Sequence, residues 1–185
     1  MSKVRLYLVR HGKTMFNTIG RAQGWSDTPL TAEGELGIHE LGIGLRESGL
    51  QFDRAYSSDS GRTIQTMGII LEELGLQGKI PYRMDKRIRE WCFGSFDGAY
   101  DGDLFMGLIP RIFNVDHVHQ LSYAELAEGL VEVDTAGWAE GWEKLSGRIK
   151  EGFEAIAKEM EEQGGGNALV VSHGMTIGTI VYLIN

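Results

Sequence analysis

Two short, almost entirely apolar runs near opposite ends of the chain each lead into a His-Gly pair. Residues 4–9 are separated from His11 by Arg10 alone, and residues 168–172 end directly before His173. Runs of this length and apolarity are typical of strands in a sheet that is covered on both faces. Because parallel strands end at the same edge of a sheet, the pattern predicts that the two imidazoles lie close together.

The rest of the chain alternates between weaker strand candidates and stretches with helical periodicity. The strand candidates are 53–57 and 80–84. The helical stretches are about 32–48, which Thr31 is placed to cap, Ile64 to Leu74, and Trp138 to Met160, followed by a helix stop at Gly164-Gly165-Gly166. This alternation predicts an α/β fold, a three-layer sandwich with a mainly parallel central sheet flanked by helices.

The segment 94–137 fits neither the helical nor the strand period well. We interpret residues 1–185 as a single domain in which this segment is an insertion near the sheet edge. Two interpretations stay open: the insertion covers a binding site, or it packs as a surface subdomain without a role in binding.

The charge of the chain bears on the class of partner. Its 18 Lys and Arg against 26 Asp and Glu give a net charge of −8, which argues against nucleic acid or an anionic membrane as the main partner. No apolar run is long enough to span a bilayer, and the N-terminus does not resemble a signal peptide. The single cysteine, Cys92, allows no internal disulfide, so we expect a cytoplasmic protein.

Polar residues follow each of the four strand candidates. Besides the two histidines, Ser58 and Asp59 follow 53–57 with Arg62 shortly after, and Arg87, Arg89 and Glu90 follow 80–84. If the strands are parallel, two imidazoles, at least two guanidiniums and a carboxylate meet at one sheet edge. A planar guanidinium fits phosphate oxygens, a neutral imidazole is a competent nucleophile near pH 7, and a carboxylic acid can protonate a leaving alkoxide.

Five ordered motifs carry a resemblance to a known family. They are Leu8-Val9-Arg10-His11-Gly12-Lys13-Thr14 with Asn17, Gln23-Gly24-Trp25-Ser26-Asp27-Thr28-Pro29-Leu30-Thr31 with Gly34, Ser57-Ser58-Asp59 with Arg62 and Gln65-Thr66, Arg89-Glu90 with Phe93-Gly94-Ser95-Phe96-Asp97-Gly98, and Val171-Ser172-His173-Gly174. Together they resemble the signature of the histidine phosphatase superfamily, phosphoglycerate mutase-like branch. The matches cover most of the chain except about 99–137.

The resemblance implies a role for each matching residue. His11 would be the phosphorylated nucleophile, and Glu90 would donate a proton to the leaving group and later activate water. The other implied phosphate-pocket residues are Arg10, Arg62 and His173, and the implied substrate-binding residues are Asn17, Gln23, Gly24 and Gly174. The resemblance implies neither a metal ion nor a cofactor.

Several positions depart from the family pattern. Lys13 stands where the family often has Glu, and Trp91 follows Glu90 where true mutases carry Arg. Within 99–137, Arg111 is the only arginine, so the paired arginines of the mutases are missing. The sequence given stops at Asn185, whereas relatives usually continue with at least one more strand and further helix.

These departures favour hydrolysis of a phosphate ester over the transfer of its phosphoryl group to another hydroxyl, as in a mutase. We therefore expect a metal-independent phosphatase that hydrolyses phosphate monoesters of small metabolites through a phosphohistidine, with a homodimer as one option for its assembly. The alternatives are a phosphoglycerate mutase and a non-catalytic phosphate-binding protein.

Two sequence patterns that could indicate a metal site give weaker support than the motifs above. Asp97, Asp101 and Asp103 fail the spacing of an EF-hand and are interpreted as solvated turns, and His117 and His119 lack further ligands nearby.

Overall fold

A four-stranded, entirely parallel sheet forms the centre of the computed structural model, which describes residues 3–185. The strand order is β1-β4-β2-β3. The strands are β1 (Val4–Arg10), β2 (Arg54–Ser57), β3 (Tyr82–Met84) and β4 (Gly166–Ser172). All four lie where the sequence predicts strands, with shifts of one or two residues at their ends, and their parallel pairing confirms the predicted fold class.

Seven α-helices lie along the part of the chain that the structure describes. They are α1 (Met15–Thr18), α2 (Ala32–Glu47), α3 (Gly61–Glu73), α4 (Ile109–Phe113), α5 (Tyr123–Val133), α6 (Trp142–Glu162) and α7 (Gly174–Ile184). Thr31 caps α2 as predicted, because its side chain accepts a hydrogen bond from the backbone N–H of Gly34.

The core lies on both faces of the sheet, because successive strand residues point to opposite sides. Along β4, Ala168 and Val170 pack against one cluster, to which α5, α6 and α7 contribute. Leu169 and Val171 pack against a second cluster, to which α2 and α3 contribute. The predicted three layers, with helices on both sides of the sheet, are therefore confirmed.

The predicted helix over Trp138 to Met160 begins later than its periodicity indicates. Helix α6 starts at Trp142, and Trp138 lies before it with 70% of its surface exposed. The Asp134 carboxylate accepts hydrogen bonds from the backbone N–H groups of Ala136, Trp138 and Ala139. These bonds stabilise a turn, so the prediction that Trp138 packs within the helix is wrong.

The apolar face of α3 also differs from its prediction. Met67 and Leu71 are buried as expected, but Ile64 is 37% exposed. Arg62 and Thr66 lie on the buried face instead. Polar side chains on this face therefore override the apolar pattern.

Residues 94–137 pack against the main core while also reaching the sheet edge where the strands end. The segment contains a 3-10 turn (Gly94–Phe96), a π-helical stretch (Gly102–Leu108), α4 and α5. Leu104, Ile109 and Leu130 are almost fully buried in the same cluster as α6. Along residues 3–185, no helix is long and apolar enough to cross a membrane.

We expect truncation of Met67 to destabilise the fold far more than truncation of Ile64 on the same helix. Met67 is fully buried, so Met67→Ala leaves a cavity and should lower the free energy of unfolding by about 2–5 kcal/mol. Ile64→Ala should cost less than about 1 kcal/mol. Urea denaturation of both variants measures the difference, and equal losses would contradict the placement of this helix.

Candidate active site

The register of the sheet places the ends of three strands side by side. Arg10 pairs with Ser172, and Ser57 pairs with Val171. The residues that follow, His11, Ser58 and His173, therefore emerge at one edge. The ring centroids of the two imidazoles are 5.3 Å apart, with the rings inclined at 65°.

One ring nitrogen of His11 is bound and the other is left for chemistry. Nδ1 lies 2.8 Å from the carbonyl oxygen of Gly12, which can only accept, so Nδ1 carries the proton. Nε2 is then unprotonated and holds a free lone pair. Burial lowers the pKa of His11 to about 4, and the nearby Arg62 and Arg10 add to this effect, so the ring is neutral at pH 7.

Both ring nitrogens of His173 are bound within the protein. Arg62 donates from Nη2 to Nδ1 at 2.9 Å, which fixes the proton of the neutral ring on Nε2. Nε2 then donates to the Ser58 hydroxyl at 2.7 Å. Burial, followed by the charge of Arg62, holds the pKa of His173 well below its usual value. A phosphate contact at this imidazole therefore requires the exchange of one of these bonds.

The guanidinium of Arg62 is completely buried although it is charged. Its Nη1 donates to Asp27 Oδ1 at 2.7 Å and to the Ser26 carbonyl, and its Nη2 donates to the Gly24 carbonyl at 2.8 Å. A buried charge is costly unless it is paired and hydrogen-bonded, and this network meets that requirement. Arg62 Nε is buried and has no partner among the described residues.

Glu90 lies in the loop after β3, and its buried carboxyl group contacts the N-terminal end of helix α7. Oε1 accepts from the backbone N–H groups of Trp91 and Thr176, and Oε2 accepts only from Met175 N–H, at 3.1 Å. Burial raises the pKa of Glu90 above its usual value, although these N–H donors and Arg62 oppose the rise. A raised pKa suits a carboxyl group that gives and takes a proton near neutral pH.

His11 and Glu90 line the same cavity, which has a volume of about 290 Å³. Arg10 and Asn17 also line it, and Arg10 forms no ion pair with any described residue. Asn17 uses its side-chain oxygen to accept from the backbone N–H of Thr14, which leaves its amide NH₂ for another acceptor. Gly174, also in the lining, is the first residue of α7, where helical N–H groups have no helical partner.

The chain matches a protein-family model over residues 6–185, that of the histidine phosphatase superfamily (branch 1). It belongs to the histidine phosphatase superfamily. It is 32% identical over 183 residues to a probable phosphoglycerate mutase, GpmB, of Salmonella choleraesuis (strain SC-B67), covering 98% of this chain and 74% of that protein.

Solved structures show the same relationship. A phosphoglycerate mutase from Bacillus anthracis str. Sterne superposes with a TM-score of 0.92 at 37% identity, covering 100% of this chain and 81% of that one. A putative alpha-ribazole-5'-P phosphatase from Escherichia coli str. K-12 substr. MG1655 superposes with a TM-score of 0.70 at 25% identity, covering 99% and 80%.

Two residues that the superfamily pattern implies as substrate ligands are already engaged. Gln23 lines the cavity, but its side chain accepts from the Thr14 hydroxyl and donates to that of Thr28. Gly24 does not line this cavity: its N–H donates to Asp97, and its carbonyl accepts from Arg62. The structure thus places Gly24 in support of Arg62 rather than against a ligand.

Asp97 was not identified as a site-supporting residue from the sequence. It is no solvated turn, because its carboxylate is half-buried and accepts from the backbone N–H groups of Gly24, Ser26 and Phe93. These bonds join the loop that holds Arg62 to the loop after Glu90. The signal was present in the fourth position of Gly94-Ser95-Phe96-Asp97-Gly98, within one of the superfamily motifs.

A second supporting residue, Arg148 of α6, holds the loop that carries Glu90. Its guanidinium pairs with the buried Glu140 carboxylate and donates to the carbonyl groups of Arg87, Arg89 and Glu90. Arg87 and Arg89, which the sequence brings to this edge, are themselves paired with Asp85 and Asp59. Neither of these two guanidiniums lines the cavity that contains His11.

Arg21 is a cavity-lining cation that the sequence analysis missed. Its guanidinium donates to the Gly98 carbonyl and lies over the Tyr100 ring, 4.4 Å from the centroid. Among residues 3–185, no group of three or more His, Cys, Asp or Glu side chains is placed to hold a metal ion.

The lowered pKa of His11 predicts a specific dependence of stability on pH. The unfolded imidazole takes up its proton near pH 6.5 and the folded one near pH 4, so the unfolded state binds more protons between these values. Stability therefore falls as the pH falls through this window. His11→Gln removes this contribution, and the wild type should lose about 1–2 kcal/mol more than the variant between pH 7 and pH 5.

Urea denaturation of both proteins at the two pH values measures this loss. All other titrating groups are common to both, so they cancel in the comparison. An equal loss in the two proteins would mean that the imidazole of His11 is not desolvated in the folded state.

Proposed function

We propose that the protein is a phosphatase that hydrolyses phosphate monoesters of small metabolites through a phosphohistidine on His11, without a metal ion. The observation that carries this proposal is the free Nε2 lone pair of His11, in a cavity that also contains Arg10 and Glu90. Membership of the superfamily supports the same chemistry.

In the first step His11 Nε2 attacks the phosphorus of the bound ester. The new N–P bond forms as the bond between phosphorus and the ester oxygen breaks, and Glu90 gives its proton to the departing oxygen. Arg10 and Arg62, the latter through its unpartnered Nε, stabilise the charge on the phosphoryl oxygens. The Nδ1–H bond to the Gly12 carbonyl stabilises the positive charge that the imidazole acquires.

In the second step water attacks the phosphohistidine. Glu90, now ionised, takes a proton from the water, the N–P bond breaks, and inorganic phosphate leaves His11 as it was at the start. The hydrogen bonds that Glu90 accepts from Met175 and Thr176 stabilise its ionised form between the two steps. His173 acts by holding Arg62 through its Nδ1.

A phosphoglycerate mutase is the second candidate, because two of the similar proteins carry that name. A mutase must hold a bisphosphorylated intermediate and exclude water. Trp91, where the resemblance leads us to expect Arg in a mutase, is buried and donates to Thr179 on α7. The segment 94–137 contains a single cation, Arg111, on the surface. Hydrolysis is therefore the better-supported activity.

The same proposal includes a partner class and a location. A net charge of −8 favours a small phosphorylated metabolite over nucleic acid or membrane, since the cations of the cavity act only locally. A lone cysteine agrees with a cytoplasmic location. The proposal also keeps a homodimer as one option for the assembly of the protein.

The wild type should carry a covalently bound label after brief incubation with an ester labelled in its phosphate, followed by denaturation. This label should be lost in acid and retained in alkali, as for a phosphohistidine. His11→Ala should remove the label and lower the rate of hydrolysis at least 10³-fold, because His11 is the one histidine among the described residues that line this cavity. His39→Ala is the matched control, since His39 lies on α2 and binds Glu73. Labelling that requires a metal, or that disappears in EDTA, would count against the proposal.

Replacement of the proton donor should matter most for esters with a poor leaving group. Glu90→Gln should slow phosphoryl transfer from ethyl phosphate by about 10²–10⁴-fold. The burst of p-nitrophenol from p-nitrophenyl phosphate should slow less than tenfold, because this leaving group needs no proton. Rapid-quench and stopped-flow measurements isolate this first step, and the exposed Glu143→Gln serves as control. Equal losses for both esters would exclude Glu90 as the donor.

A further inference from the structure

A second cavity, of about 560 Å³, adjoins the one that contains His11. Phe105 and Met175 line both spaces, so the two share a wall. The remaining walls of the second cavity are mostly apolar and include Val118, Leu121, Tyr123 and Leu126. We call this second cavity the apolar groove.

Met175 connects the carboxyl group of Glu90 to the apolar groove. Its backbone N–H donates to Glu90 Oε2, the oxygen with the fewest partners, and the same residue lines the groove. A proton on this oxygen is therefore delivered beside the shared wall. The ester oxygen that receives it, and the carbon chain attached to that oxygen, lie toward the groove.

Local structure builds the groove before any ligand binds. Phe105 lies in the π-helical stretch Gly102–Leu108, a rare conformation that recurs at functional sites. Leu121 follows a 3-10 turn and precedes Ser122, the N-cap of α5, which forms a reciprocal capping box with Glu125. The walls are thus fixed by secondary structure, which lowers the entropic cost of binding.

The lining of the groove disfavours a second acidic group on the substrate. No Arg or Lys is among the described residues that line it, and its polar side-chain groups belong to His119 and Tyr123. A carboxylate in the groove would lose its hydration without meeting a guanidinium or ammonium group. An uncharged apolar group would instead gain from leaving water.

We propose that the preferred substrates are phosphate monoesters of apolar alcohols, alkyl or aryl, whose carbon part binds in the apolar groove. This inference rests on the proposed phosphatase function and specifies its substrate class. The phosphoryl group occupies the cavity of His11, and the alcohol part passes the shared wall formed by Phe105 and Met175.

The test compares ethyl, butyl and hexyl phosphate, whose leaving alcohols have nearly equal acidity and differ only in apolar length. Phosphate release should give a kcat/KM that rises about threefold with each added methylene, until the groove is filled. The hexyl ester should also exceed glycerol 3-phosphate and 3-phosphoglycerate.

A groove variant provides the second readout. Leu121→Asp should reduce the ratio of kcat/KM for hexyl to ethyl phosphate to near one, since it places a charge in the groove. The matched control is Val131→Asp on the exposed face of α5, which should keep the wild-type ratio. Leu121→Asn replaces the first variant if circular dichroism shows that the charged one does not fold.

The outcomes separate this inference from the function on which it rests. If all esters are hydrolysed but kcat/KM stays constant or falls from ethyl to hexyl phosphate, the inference alone is overturned. Faster turnover of 3-phosphoglycerate than of hexyl phosphate would also overturn only the inference. A ratio in Leu121→Asp equal to that of the wild type would do the same. No turnover of any ester would overturn the phosphatase proposal and the inference together.

Discussion

Parallel pairing between β1 and β4 determines where the two imidazoles lie, and the remaining chemistry is arranged around them. The register that joins Arg10 to Ser172 places His11 beside the strand that ends before His173. These two histidines, 162 positions apart in sequence, therefore lie in contact without any direct bond between them. Because each strand is held on both faces by helices, neither ring can shift without displacing the core.

Burial of the charged guanidinium of Arg62 is the second constraint on the site. It explains why residues that are distant in sequence lie together around this side chain. Arg62 needs acceptors once it is buried, and Asp27, Ser26 and Gly24 supply them. Asp97 in turn holds the backbone of that loop. The hydrogen bonds of the buried Arg62 at the start of α3 thus explain why Ile64, rather than Arg62, is exposed on that helix.

The positions of the strands, their parallel arrangement and the convergence of polar residues at one sheet edge could be predicted, because apolar runs and strand ends are local features of a sequence. What could not be predicted depends on side-chain partners distant in the chain. Periodicity alone places Trp138 in a helix, because it cannot reveal that Asp134 holds the intervening turn. Likewise, Gly24 belongs to a motif that implies ligand binding, whereas its carbonyl and N–H serve Arg62 and Asp97.

The neutral state of both imidazoles has a consequence for how the site responds to its surroundings. With His11 and His173 uncharged near neutral pH, the positive potential of the pocket comes from guanidinium groups, which keep their charge throughout the physiological range. A phosphate monoester, in contrast, loses its second proton near pH 6. Around that pH the charges of the guanidinium groups are constant while the ionisation of the ligand varies, so acidification changes the electrostatic attraction between these groups and the ester through the ester itself.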